Sequence, residues 1–255
     1  MARAAKPWHR IVLGVAGLAL LAVALYGIAG PTGSREERAP ARIGLFTSLP
    51  LFWNESASIG DLLRQDAPPH WALAVLRRHG PVVPLDILAT GPDDRLSGVD
   101  LLILAQPRPL SPQENVVLDD WVRAGGRALL FVDPMLTEES LHAPGDRRRP
   151  QDIAMLSPIL ARWGLVLRFD EDQAPGERTT FLFGHPFPVN LAGQWSLMPD
   201  AGRCNVLDGG IAVDCRIGEG RILALTDAAL LERERGVQAD GPAAMLDALV
   251  ERVRS

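Results

Sequence analysis

The sequence predicts an α/β fold: a flavodoxin-like, doubly wound parallel sheet with antiparallel β additions, preceded by one transmembrane helix. Three observations predict it. Short runs that are apolar on both faces alternate with amphipathic helical stretches, as buried parallel strands and their crossover helices require. Late in the chain, two strand-like runs flank a glycine pair, which is a hairpin signal. Near the amino end the twenty residues Ile11 to Gly30 carry no charge, and nothing of that kind recurs.

At about 1.5 Å per residue, twenty residues reach across a hydrocarbon core of roughly 30 Å. Trp8 and Tyr26 stand near the two ends of the stretch, where interfacial aromatics belong. Arg3, Lys6 and Arg10 precede it, but Arg35, Arg38 and Arg42 follow it, so flanking charge is nearly neutral on orientation. The long domain behind it tips the balance towards translocation. The expected organisation is a cytoplasmic N-terminus (1–10), a transmembrane anchor (11–30), a linker (31–42) and an extracytoplasmic α/β domain (43–255). This implies a single-pass protein of the bacterial inner (cytoplasmic) membrane with its C-terminal domain in the periplasm. A cleaved signal peptide, with Gly27 and Ala29 at the cleavage site, is the competing reading. Its apolar core would be longer than the usual span of about 7 to 15 residues.

The chain carries 26 basic and 31 acidic residues, a net charge of −5. Residues 1–42 hold six basic and two acidic side chains, which leaves 20 and 29 in residues 43–255, a net of −9. Nucleic acid and anionic membrane surfaces are not expected partners of a domain with that balance.

Element by element, Arg42–Thr47, Val82–Leu85, Val99–Ala105 and Arg127–Val132 read as parallel strands. Pro69–His79 and Pro112–Ala124 read as the helices between them. Ser111, Pro112 and Glu114 give the second helix an N-cap, a proline at its first position and a capping box, and Gly125 or Gly126 stops it. Asp152–Trp163 has helical spacing interrupted by Pro158, which predicts two short helices with Ser157 capping the second. Leu165–Phe169 and Thr179–Phe183 read as antiparallel additions. Arg203–Leu207 and Ile211–Arg216 form the hairpin, Arg221–Thr226 returns to the main sheet, and Pro242–Val253 is the closing helix. The winding requires the strand at 42–47 to lie between those at 82–85 and 99–105.

In such a sheet, ligands sit beyond the carboxyl ends of the strands. Three segments converge there: the loop 48–68 with Trp53, Asn54 and Glu55; the segment opening with Gln106; and the one opening with Asp133. Asp227 joins them if Arg221–Thr226 is parallel to its neighbours. A Trp beside Asn and Glu suits a sugar or a polar peptide end, unless Trp53 simply packs the loop onto the sheet. Two carboxylates in one crevice could serve as acid and base or hold a cation, unless Asp227 is an N-cap and Asp133 a turn residue. The histidines show no metal-ligand spacing, and there is no nucleophile elbow or phosphate-binding glycine loop, so no metal and no cofactor are expected. Arg147, Arg148 and Arg149 read as a solvated loop or a contact to an acidic partner.

Cys204 and Cys215 are the only cysteines. If Gly209 and Gly210 make a two-residue hairpin loop, these cysteines face each other and can form a disulfide, stable in an oxidising compartment. A loop of three residues would slip the register by one and leave two small buried hydrophobes instead.

The segments LLILAQPRPLSPQENVVLDDWVRAGGRALLFVDP (101–134) and GEGRILALTD (218–227) resemble the auxiliary domains of uncharacterised ABC-type transport systems. These are relatives of the gliding-motility auxiliary protein and of a membrane-anchored family of unknown function. The matching positions are Leu101–Ala105, Pro109–Ser111, Gly125, Gly126, Leu129–Asp133, Gly218, Gly220 and Asp227. Arg233 stands where the family often has asparagine, and Pro68–Trp71 replace an early glycine pair. The resemblance implies a class I glutamine amidotransferase-like fold, an extracytoplasmic position and service to a transporter or envelope complex. The cysteine nucleophile of amidotransferases has no counterpart after a central strand here. The sequence therefore points to a non-catalytic accessory or binding domain with a protein partner such as an ABC permease or envelope protein. The alternative is a periplasmic hydrolase or carbohydrate-active enzyme using the crevice carboxylates.

Overall fold

The four apolar runs that the sequence marks as parallel strands, and the run at 221–226 that it returns to the main sheet, are neighbours in one sheet. The chain forms β1 (Ile43–Thr47), α1 (Trp71–His79), β2 (Val82–Pro84), a short ribbon of β3 (Ala89–Thr90) and β4 (Asp93–Asp94), β5 (Leu101–Ala105), α2 (Pro112–Arg123) and β6 (Arg127–Phe131). It continues through α3 (Ser157–Arg162), β7 (Leu165–Arg168), β8 (Arg178–Leu182), β9 (His185–Val189), β10 (Gln194–Leu197), β11 (Arg203–Leu207), β12 (Ala212–Ile217), β13 (Gly220–Leu225) and α4 (Asp240–Arg254). This computed structural model describes residues 40–53, 55, 70–90, 93–199, 201–232 and 240–255. The predicted span at 11–30, residues 31–39 of the linker and Asn54 lie outside the described residues. Among those described, no helix is long and apolar enough to cross a membrane.

The main sheet has the order β11-β12-β13-β6-β5-β1-β2. Its pairings from β13 to β2 are all parallel, and β11 and β12 add antiparallel to the β13 edge. As expected, β1 lies between β2 and β5, with Ile43 beside both Val82 and Leu101. Side chains alternate between the faces of a strand. Ile43, Leu45, Ile103, Phe131 and Leu223 therefore pack on one side with Leu76 of α1 and Leu246 and Leu249 of α4. Phe46, Leu102, Leu130 and Ile222 pack on the other with Leu118 of α2 and Ile159 of α3.

The strongest sequence signal, the start of α2, is realised in full. Ser111 Oγ accepts from Glu114 N and Glu114 Oε2 accepts from Ser111 N, which closes the capping box. At the other end of α2, Gly125 takes φ 114°, and a Cβ on Gly220 would stand 1.9 Å from the Val122 carbonyl oxygen. The family's glycines thus end α2 and let β13 begin in contact with its last turn.

Three local expectations are corrected. Residues 152–156 are not helical, and Ser157 is the first residue of α3, whose N-cap Leu156 makes no side-chain cap bond; Pro158 is tolerated because it stands in the first turn. β7 and β8 join neither the main sheet nor each other, because each forms a separate ribbon with a strand the sequence hid: β7 with β10 and β8 with β9. The hairpin loop is a four-residue turn, Asp208 to Ile211, not a two-residue one. It is centred on the same Gly209–Gly210 peptide, so the register survives. Cys204 pairs with Cys215 and the two are joined by a disulfide.

Candidate functional site

The carboxyl ends of β1, β5, β6 and β13 meet at a crest where polar side chains are buried. Directly after β5, Gln106 adopts φ 45°, in the left-handed region unusual for a residue with a Cβ. Its amide holds it there: Oε1 accepts from Asp133 N at 3.0 Å, and Nε2 donates to the carbonyls of Asp133 at 3.1 Å and Gln151 at 2.8 Å. Ser48, just past β1, donates to the Gln106 carbonyl and accepts from Gln151 N. Gln106 therefore ties strand ends together and is fully buried, so it is not free to meet a ligand.

Asp133 and Asp227 do converge. Both are buried, and all four carboxylate oxygens accept backbone amides. Asp133 takes Met135 N at 2.8 Å and Ala228 N at 3.0 Å; Asp227 takes Ala229 N at 2.7 Å and Asn190 N at 2.6 Å. Each carboxylate accepts from the amide two residues on, the turn role expected for Asp133; Asp227 is not the N-cap of the short 3-10 turn that follows, which is Ala228, and each residue also binds a distant segment. Burial pushes Asp133 up to about 6 against the pull of its two amides, with the Glu232 charge adding to the rise. Burial and then the Asp133 charge push Asp227 well above the usual carboxylate range.

In front of this pair lies a cleft of about 580 Å³ lined by Pro50, Glu55, Thr137, Glu138, Glu139, Leu141, Asn190 and Glu232. Glu55 is fixed in its wall, accepting from Ser140 Oγ at 2.9 Å and Leu141 N at 2.6 Å. Trp53 is 44% exposed, so packing onto the sheet does not account for it. Of the predicted site residues, the structure thus brings together Gln106, Asp133 and Asp227 as a buried layer, with Glu55 in the cleft above. The acidic lining offers acceptors to a cationic group. Among the described residues, no group of three or more His, Cys, Asp or Glu stands where it could hold a metal ion.

Sequence reasoning missed Glu138, Glu139, Asn190 and Glu232. Two of them were findable, because Glu138 and Glu139 follow Asp133 within the loop leaving β6, at the end where ligands gather. Asn190 was not, because β9 itself gave no recognisable strand signal.

A family described as an ABC-type uncharacterized transport system matches residues 43–179. The chain belongs to that family. The match covers β1 through the start of β8 and so includes Glu55, Gln106 and Asp133. No curated protein matches the sequence. Solved structures with a similar chain path include an exo-beta-1,4-mannosidase from an Opitutaceae bacterium, with 15% identity, a TM-score of 0.48 and coverage of 84% of this chain. This chain spans only 36% of the mannosidase. A ThuA-like protein from Bacteroides uniformis matches with 11% identity and a TM-score of 0.45, over 81% of this chain and 88% of its own. A cytoplasmic protein from Salmonella typhimurium LT2 matches with 11% identity and a TM-score of 0.48, over 84% of this chain and 100% of its own.

Proposed function

We propose that this protein is a membrane-anchored, extracytoplasmic accessory module of an ABC-type transport system, and that its α/β domain binds a partner protein of that system rather than catalysing a reaction. Family membership supports the transport context. The observation that carries the non-catalytic part is the crest: every carboxylate oxygen of Asp133 and Asp227 is occupied by a backbone amide of the protein itself. A general acid or base must reach its substrate within hydrogen-bonding distance, and here the acceptors that would do so hold Met135, Ala228, Ala229 and Asn190 in place. The uncharged stretch Ile11–Gly30 supports the anchor, and the Cys204–Cys215 disulfide supports an oxidising compartment. Such a disulfide is a structural staple, because the reactive CxxC spacing is absent.

A second reading, a periplasmic hydrolase or carbohydrate-active enzyme, is favoured by one observation: two neighbouring buried carboxylates with raised pKa lie behind a cleft. Two experiments separate these readings. Alkaline phosphatase fused after Ser255 of the full chain is expected to be active in cells, and chemical cross-linking followed by affinity purification is expected to recover the permease of an ABC system. An inactive phosphatase fusion would remove the extracytoplasmic position. Turnover of a glycan or ester substrate by the purified chain, abolished in Asp133→Asn, would replace the accessory reading with the enzymatic one.

A further inference from the structure

The far end of the sheet carries charge of the opposite sign. The strand register places Arg127 of β6 beside Arg221 of β13, Arg221 beside Arg216 of β12, and Arg216 beside Arg203 of β11. Paired residues on neighbouring strands point to the same face and stand about 4.8 Å apart along the sheet. Four arginines therefore form one row across four strands, on the face that α4 covers. Two of the four are occupied. Arg127 donates to the Arg254 carbonyl, and Arg221 forms a two-point ion pair with Asp214 at 2.8 and 2.6 Å and donates to Ser255 Oγ. Arg252 of α4 shares the same Asp214, at 2.9 Å, so one carboxylate faces two guanidiniums.

Arg203 and Arg216 differ. Both are exposed, and neither side chain makes a hydrogen bond or ion pair among the described residues. Like charges placed directly opposite each other on paired strands destabilise a sheet. A charge on an edge strand can be explained by its blocking unwanted strand pairing. That accounts for Arg203 on β11 but not for Arg216 on β12, which is the strand inside it. The disulfide joins the very next pair of residues, Cys204 and Cys215, on the opposite face, and holds the two arginines side by side against their repulsion.

Two adjacent guanidiniums, each a planar fork of N–H donors, match the oxygens of a phosphate. The row lies at the same end of the sheet as the point where the chain arrives: Ile43 pairs with Leu101, the β5–β6 register sets Leu101 alongside Arg127, and β12 is four strands from β1. If the span ends at residue 30, only twelve residues separate it from β1. We propose that the Arg203–Arg216 pair, backed by Arg221 and Arg252, is a phosphate-binding surface, and that its phosphates are those of lipid headgroups. Phosphate recognition stands on the register and the exposure; the lipid source rests on the anchored reading above. The net negative charge of residues 43–255, which argues against an anionic surface as partner, belongs to the domain as a whole, whereas the exposed arginine pair is local.

The test uses the full chain in non-ionic detergent micelles, titrated by calorimetry with inorganic phosphate, with micelles doped with phosphatidylglycerol, and with micelles doped with phosphatidylcholine. We expect binding to the phosphatidylglycerol micelles and not to the phosphatidylcholine ones, weakened by added salt. Arg203→Ala/Arg216→Ala is expected to weaken that binding about thirtyfold, each basic side chain at an anionic surface contributing roughly fivefold. Arg147→Ala, which removes a positive charge from the loop after β6, is expected to leave it unchanged. An unchanged melting temperature shows that the double variant is folded. Should it misfold, Arg203→Lys/Arg216→Lys keeps the charge, loses the fork, and is expected to bind phosphate several-fold more weakly. Arginine-dependent binding of inorganic phosphate with no preference for phosphatidylglycerol would retain the phosphate site and remove the lipid as its source. Equal binding by wild type and the double variant, or no binding of either phosphate probe, would overturn the proposal. The phosphatase fusion reads the anchored topology independently of all these outcomes.

Discussion

Two sets of carboxylates are withdrawn from water in this domain, and they meet burial in opposite ways. At the crest, Asp133 and Asp227 accept only backbone amides and face each other and the Glu232 charge, and both are pushed up. On the flank and at the base, Glu114, Asp119 and Asp214 are buried as well. There, burial alone would raise each group, but the guanidiniums of Arg108, of Arg123 and Arg162, and of Arg221 and Arg252 outweigh it. Glu114 falls to about 2, and the two aspartates fall below the usual range. Two things differ: the crest pair is the more deeply desolvated, and the flank and base groups have a full countercharge, which amide dipoles do not replace. Such a carboxylate is a fixed structural charge near neutral pH, whereas one held by amides alone titrates there.

The strongest test of this comparison removes one member of each set. Asp214→Ala strands Arg221, whose side chain is 12% exposed, without its counterion. It is expected to cost about 3–5 kcal/mol, read as a shift of the urea midpoint. Asp133→Asn removes a charge that burial already opposes and gives up one acceptor, so a loss under about 1 kcal/mol is expected at pH 7. Equal losses would show that the countercharge makes no difference.

The pH dependence sharpens the contrast. Asp133 titrates near 6 in the folded chain and 3.8 in the unfolded one, so the folded state holds its proton more tightly. Its contribution is complete below pH 3.8 and lost as pH rises through 6, about 3 kcal/mol for a shift of two units. Glu114 behaves in the opposite sense: its contribution is present above pH 4.5 and lost as pH falls towards 2. In the upper window denaturation midpoints should fall with rising pH in wild type and fall less steeply in Asp133→Asn, where Asp227 still titrates. Glu114→Gln should flatten only the acid side.

Arg108→Met would turn Glu114 into a carboxylate of the crest kind, held by the amides of Leu88 and Ser111 alone. Because Arg108 is 37% exposed, the expected cost is modest, about 1–2 kcal/mol, and the acid loss should begin at higher pH. A small effect is also expected from Ser111→Ala, about 1 kcal/mol for one lost cap, with Glu114 still bound to Arg108.

Several of these features were legible before folding. The capping box at Ser111 and Glu114 is local, and four consecutive residues suffice to specify it. The order of β1, β2, β5, β6 and β13 follows from apolar runs on alternate sides of helices, and a right-handed crossover leaves few ways to place them. The Cys204–Cys215 pairing was reachable because a hairpin's register depends on the centre of its turn, which stayed at Gly209–Gly210 even though the loop is longer than expected. Gln106, Asp133 and Asp227 were placed at the correct end of the sheet by the general position of ligand sites, but not by any knowledge of their partners.

The sequence by itself determined the main-sheet strands and the helices α1, α2 and α4, the family, the capping of α2 and the disulfide register, because each depends on neighbours along the chain or on a symmetric turn. Only the tertiary structure decided what the crest residues do. Asp133 meets Ala228 and Asp227 meets Asn190 across 95 and 37 residues, and Gln106 meets Gln151 across 45. Whether a buried carboxylate is charged depends on which groups fold against it. The arginine row has the same origin: Arg127, Arg203, Arg216 and Arg221 are scattered along the chain, and only the registers of four strands bring them into line.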